Sequence, residues 1–320
     1  MALGPVGPIP AGPKHLWSLT RASPPCPNPM SHRNAYILLS VVALLWAGNY
    51  PASKIGLSEL GPITLTMARA VLVTPVLILL ARILHGPFPA FRRRDYATFV
   101  ILSLTGLVGN TTIWFWGMRY TSPINAGILG AAAPAVVAVI GALWLGDRLS
   151  RTNMAGIGLT VAAVLLTISH GSLGVLRTLS FNRGDLLILA SEIGWVTYTL
   201  YSRATTTSLP PVTIMAGAHV VSSALLLPLA LAVEGWSPLA RAGWAGWGVV
   251  LYGAFPVTLG HLWYYQCIRV VGAGRAAVFS NLIPFLVIVL SWAILGEPIR
   301  WYHAVGATVV IAGVVFTTRR

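Results

Sequence analysis

The sequence predicts an all-α integral membrane protein with ten transmembrane helices, arranged as two inverted five-helix repeats. Three observations carry that prediction. The composition is 56% hydrophobic and only 9% charged. A soluble domain carries about 25% charged residues, so this chain could not cover a water-facing surface. Apolar runs of membrane length recur along it, continuous rather than alternating with period two as barrel strands would. Finally, the stretch Arg119 to Thr167 returns about 150 residues later as Arg269 to Thr317. Pro134 answers to Pro284, Leu145-Gly146-Asp147 to Leu295-Gly296-Glu297, and Gly156 to Gly306. A spacing kept through an apolar run, a proline, a Gly-acid turn and a second apolar run marks an internal repeat.

Taken in order, residues 1–30 are a Pro- and Gly-rich tail without the apolar segment of a signal peptide, and they read as disordered. Translation from Met30 is an alternative account of that tail. Ten segments then reach the roughly 20 apolar residues a span needs. The first repeat, residues 31–170, holds Asn34–Gly56, Pro62–Leu84, Tyr96–Met118, Ser122–Leu145 and Thr152–Ser169. A linker, 171–184, leads to the second repeat, 185–320. That repeat holds Asp185–Ser202, Pro211–Ala232, Ala245–Tyr265, Ala273–Leu295 and Trp301–Thr318. The loops are too short for a soluble domain.

The formal charge of +14 belongs on this reading to loops at the cytoplasmic face rather than to nucleic-acid binding. Arg92-Arg93-Arg94 is the strongest vote, and it puts both termini inside. A unit of five spans cannot repeat in the same orientation, so the halves are inverted. The front of the repeat agrees: Trp46, Lys54 and Pro62 return as Trp195, Arg203 and Pro211 at the same interval to within one residue. Inverted repeats mark secondary transporters, whose site lies near the midplane between the halves.

These residues bear a resemblance. Leu45-Trp46-Ala47-Gly48-Asn49, Lys54, Arg69, the Ala-rich run to Pro134, Leu145-Gly146-Asp147-Arg148-Leu149, Gly184-Asp185-Leu186-Leu187, Trp195 and Pro284 through Leu295-Gly296-Glu297-Pro298 follow one another as in the drug/metabolite transporter superfamily, EamA branch. The likeness covers Asn34 to Thr318. Each motif is loose alone, and the ordered set is specific. Glu192 departs from it, standing where small apolar residues are usual, and Asp147 stands where Glu is commoner. The resemblance implies a ten-helix exporter or exchanger of small metabolites in the plasma (inner) membrane, with no nucleotide-binding site.

Charges within apolar runs are expensive in lipid and point to a cavity or a partner. Arg69 suits a substrate carboxylate or a structural brace. Lys54 suits a ligand or a side chain reaching for the interface. Glu192, the one acid well inside a span, suits a substrate amine, a proton or a structural pair. His219 and His261 are polar groups at membrane depth, fitted to donate to a substrate or to serve the bundle. Aromatic and polar residues share stripes by helical spacing. Trp46, Asn49, Tyr50 and Ser53 line up in the first span, and Asn110 and Trp114 in the third. Glu192, Trp195, Thr199 and Ser202 do so in the sixth, and Thr258, His261 and Tyr265 in the eighth. Such stripes suit a central cavity better than lipid. Pro134 and Pro284 are expected to kink the fourth and ninth spans, as hinges or as fixed bends.

Together these residues suit an amino acid, an aromatic one included, as in the aromatic amino acid exporters the chain resembles. A cationic drug held by Glu192 and aromatic faces is the alternative. A membrane enzyme or scaffold is a third reading. The acids Glu59, Asp95, Asp147, Asp185, Glu234 and Glu297 lie scattered on different loops, which speaks against an enzyme. No Walker A loop, H-E-x-x-H or G-x-S-x-G occurs, and Cys26 and Cys267 have neither disulfide nor metal spacing. No cofactor, metal or nucleic-acid partner is expected. The partners are a small molecule and the bilayer, with the oligomeric state open and a monomer among the options.

Overall fold

Where the Ser31 hydroxyl accepts the Asn34 N–H, the first helix begins. The computed structural model describes residues 30–145, 149–204 and 209–318, without the side chains of residues 144, 145, 203, 204, 265, 269, 273, 274 and 277. The N-terminal tail, the Gly146-Asp147-Arg148 turn and the side chain of Tyr265 therefore lie outside the described part. The elements run α1 (His32–Gly56), α2 (Pro62–His85), α3 (Arg93–Leu102), a π-helical stretch Ser103–Thr111 and α4 (Thr112–Tyr120). Then come α5 (Pro123–Gly130), α6 (Ala133–Leu145), α7 (Arg151–Ile168), a short α8 (Leu173–Thr178) and α9 (Arg183–Ala204). The remainder is α10 (Pro211–Val233), a short α11 (Ser237–Arg241), α12 (Trp244–Tyr252), a π-helical stretch Gly253–Val257 and α13 (Thr258–Val271). It closes with α14 (Ala273–Ser280), α15 (Ile283–Leu295) and α16 (Trp301–Thr318). Among the described residues every regular element is helical.

Eight helical stretches are long and apolar enough to cross a membrane. Two of the ten expected spans fall outside that set for visible reasons. In α9, Arg183, Asp185, Glu192 and a run of hydroxyl residues dilute the hydropathy. In the rod from Trp244 to Val271, Trp244, Trp247, Tyr252, Pro256, His261 and the glycines do the same. Large apolar side chains face outward, with Ile83 70% and Leu143 83% exposed, the reverse of a soluble fold.

The prolines do more than kink. The fourth span breaks into α5 and α6 across Ala131 and Ala132, and the ninth into α14 and α15 across Asn281 and Leu282. Pro134 and Pro284 each sit second in the helix that follows the break. There a missing N–H costs nothing, because the first helical N–H groups have no partner within the helix.

Small residues let rods of the two halves touch. In α7 and α16, Gly156 meets Thr317, Thr160 meets Gly313 and Thr167 meets Gly306. The numbers rise in one helix as they fall in the other, so the two run antiparallel. A methyl group at Gly306 would sit 2.9 Å from the Thr167 hydroxyl, so this approach requires glycine. Helices α2 and α10 also run antiparallel, joined by the hydroxyls of Thr74 and Ser223 at 3.0 Å. Val73, Leu77 and Ala81 pack there on Val212 and Ala216.

Candidate functional site

The middle of α1 organises the site. Its Trp46, Asn49 and Tyr50 share a face, and each engages a different neighbour. Asn49 offers its side-chain oxygen to Arg69 of α2, whose Nη2 donates at 3.1 Å. The Arg69 guanidinium lies 5.3 Å over the Phe115 ring and presses on the backbone of Gly253, where no Cβ would fit. Gly253 opens the second π-helical stretch, and such stretches often coincide with functional sites. No carboxylate pairs with Arg69 among the described residues. Among the described residues the Asn49 side chain is the one hydrogen-bond acceptor that Arg69 engages.

Glu192 of α9 is 7% exposed. A Cβ at Gly130 would meet the Tyr50 hydroxyl at 3.1 Å and Glu192 Oε1 at 3.6 Å. The last residue of α5, at the helix break, therefore faces both side chains. Tyr50 meets Trp114 edge to face, with centroids 5.2 Å apart, and Trp114 meets Phe115 at 5.2 Å. Glu192 makes no ion pair among the described residues. Asn49 and Phe115 thus lie against Arg69, while their chain neighbours Tyr50 and Trp114 meet each other, with Tyr50 beside Gly130 and Glu192.

Trp46 anchors a third group. Its Nε1 donates to the Val257 carbonyl at 3.4 Å, and its ring lies 4.8 Å from His261 and 5.2 Å from Tyr264. His261 donates through Nδ1 to the Val257 carbonyl at 2.8 Å, and His219 likewise to Met215. A carbonyl only accepts, so the proton of each neutral ring sits on Nδ1 and Nε2 remains an acceptor. His219 thus bonds within its own helix rather than with the Arg69 or Glu192 groups. Asn110 donates to the Ser191 carbonyl at 2.8 Å, which fixes α9 one residue before Glu192. Trp195 stacks on Tyr198 at 5.5 Å and is 38% exposed. Lys54 donates to the Met118 and Thr121 carbonyls, each at 2.7 Å. Its charge caps the C-terminal end of α4.

Sequence reasoning missed Phe115, Tyr252, Tyr264 and Gly253, and marked Gly130 only as one of the small residues of the fourth span that allow close backbone approach. Tyr264 lies three residues after His261 and Tyr265 four, and helical spacing allows either. Tyr252, whose hydroxyl donates to the Leu45 carbonyl at 2.8 Å, begins no polar stripe. The glycines carry no side chain to notice.

The acids that the sequence scatters over loops meet partners across the fold. At the end of the bundle where α1 leads into α2, Asp185 accepts from the Thr121 hydroxyl and from Asn125. It also lies 3.7 Å from His170. Glu297 faces Ser122 and Lys54. Burial pushes its pKa up, while the Ser122 hydroxyl, the Ile124 N–H and Lys54 pull the other way.

The sequence profile of the EamA-like transporter family matches the chain twice, over residues 33–169 and 182–319. An "uncharacterized transporter" of Bacillus subtilis is 27% identical over 89% of this chain and 94% of its own length. A "probable terminal-alkyne amino-acid exporter" of Streptantibioticus cattleyicolor is 25% identical over 89% and 92%. A "probable amino-acid metabolite efflux pump" of Salmonella typhimurium is 26% identical over 89% and 94%. One crystal structure superposes with a TM-score of 0.60, covering 90% of this chain and 98% of that one at 19% identity, a likeness of fold.

Proposed function

We propose that this chain, which belongs to the EamA-like transporter family, exports amino acids by alternating access across the plasma membrane. Its family and its named relatives are transporters, not enzymes. One observation carries the substrate class. Arg69 and Glu192 are groups of opposite charge type at membrane depth, neither has an ionic partner among the described residues, and the adjacent α1 residues Asn49 and Tyr50 lie toward the one and the other. An amino acid supplies the missing partners, its carboxylate to Arg69 and its amine to Glu192. Tyr50 and Trp114 offer ring faces and edges to an apolar or aromatic side chain. The names of two relatives as amino-acid exporters support the reading.

In this reading the chain has ten spans in two inverted repeats. The paired profile match, the antiparallel contact of α7 with α16, the paired helix breaks and the paired π-helical stretches favour it. Both termini face the cytoplasm, as Arg92-Arg93-Arg94 at the start of α3 argues. The alternative, a cation exporter, draws on Glu192 with Tyr50 and Trp114 but leaves Arg69 idle. Uptake of a panel of amino acids into proteoliposomes, with and without a pH gradient, tests the proposal. If none moves or competes, the substrate class is wrong.

The helix break at Ala131 and Ala132 follows Gly130, which faces Tyr50 and Glu192, so movement of α5 against α6 shifts the surroundings of both. Pro134→Ala restores an N–H and lets the helix run through the break. Transport is expected to slow several-fold with an unchanged melting temperature, measured side by side in detergent and in vesicles. Unaltered rates would reduce Pro134 to a fixed bend. The same holds for Pro284.

A further inference from the structure

Two loops exchange carboxylates. Glu59, in the α1–α2 loop, accepts the Gly243 and Gly246 N–H groups at 2.8 Å each, at the start of α12. Glu234, between α10 and α11, accepts the Ile63 and Thr64 N–H groups at 3.1 and 2.8 Å, at the start of α2. Each loop thus offers an acid to the helix that the other loop feeds. Glycine makes room on both sides. A Cβ at Gly246 would lie 2.6 Å from Glu59 Oε2, and one at Gly61 would overlap the Glu234 carboxylate.

We propose that Glu59 and Glu234 form a reciprocal clamp that holds one mouth of the transport path shut, and that this mouth opens when the two loops part. Position argues for it. The clamp joins the ends of α1 and α2 to those of α10 and α12, and the Trp46, Arg69, His219 and His261 side chains hang from these same rods or from α13, which continues α12. Chemistry argues for it too. A carboxylate on helix N–H groups is favoured by the helix dipole, yet it is modest where Glu59 is exposed and Glu234 half-buried, as a contact remade in every cycle must be. Each carboxylate bonds only backbone N–H groups, so parting strands no charged side chain: water replaces the protein donors. The opposite end offers a contrast, because Asp95 there accepts the Arg92 N–H at the start of its own helix.

The clamp rests on the alternating-access reading and on no particular substrate. Spin labels on Ser58→Cys and Ala240→Cys, both exposed, report on the gap between the loops in a Cys26→Ser background. Cys267 is buried and stays. In vesicles, Glu59→Gln, Glu234→Gln and the double variant should each add a longer-distance population to that of the parent. Glutamine keeps one acceptor oxygen, so the single variants remain foldable. Joining the two cysteines with a short bifunctional maleimide, both native carboxylates intact, should reduce counterflow to background. Distances identical across the parent and all three variants would overturn the clamp, as would full transport by the cross-linked protein. The distances need no transported ligand, so failure of the clamp and failure of the amino-acid reading are told apart.

Discussion

Glu192→Gln is expected to lower amino-acid transport by about 30- to 3000-fold while the protein melts at or above the parent temperature. The two halves of that result have one cause. Glu192 is 7% exposed and has no ionic partner among the described residues. Removing one side of a buried charge pair costs about 2–5 kcal/mol, and 1.4 kcal/mol is tenfold in affinity. The lost pair here is with the substrate amine, so the loss falls on function. In the empty protein the carboxyl is a largely buried polar group without an ionic partner among the described residues, which is costly. Glutamine relieves that burden at nearly the same volume. Flux assays and thermal melts on one preparation check both halves. A drop in melting temperature with transport retained would make Glu192 a structural acid instead.

Arg69→Gln is expected to match that loss for amino acids and to spare ligands that carry only an amine. The guanidinium gives one bond to Asn49 and stacks on Phe115, so its remaining donors stay available for a carboxylate. Arg69→Lys should fall between parent and glutamine, because a lysine keeps the charge and loses the planar fork. Competition of a labelled amino acid by amino-acid and amine-only ligands separates the effects. Equal loss for both ligand classes would assign Arg69 to holding α2 against Gly253.

Much of this arrangement was legible in the chain. Period and length yielded the rods, because a span must be about 20 apolar residues whatever its neighbours. Helical spacing set Trp46, Asn49 and Tyr50 on one face of α1, and the cost of charge in lipid marked Arg69 and Glu192. What stayed hidden depends on contacts across the fold. Gly130 and Gly253 matter through the space they leave. The π-helical stretches answer to packing and leave no local signature at Ser103 or Gly253. Glu59 and Glu234 lie far apart in sequence from the N–H groups they accept, and a carboxylate that caps a distant helix looks like any loop acid. Pro134 and Pro284 announced a disturbance in the helix, and only the packed bundle shows a complete break.

Counterflow in proteoliposomes tests whether one ligand spans Arg69 and Glu192. Labelled phenylalanine is followed against an excess of phenylalanine, phenethylamine or phenylpropanoate. Phenylalanine is expected to drive counterflow, and the two analogues, each lacking one charged group, are expected to compete at least about tenfold more weakly, since each forgoes a charged contact. Phenethylamine competing as well as phenylalanine, in the parent and in Arg69→Gln alike, would contradict it.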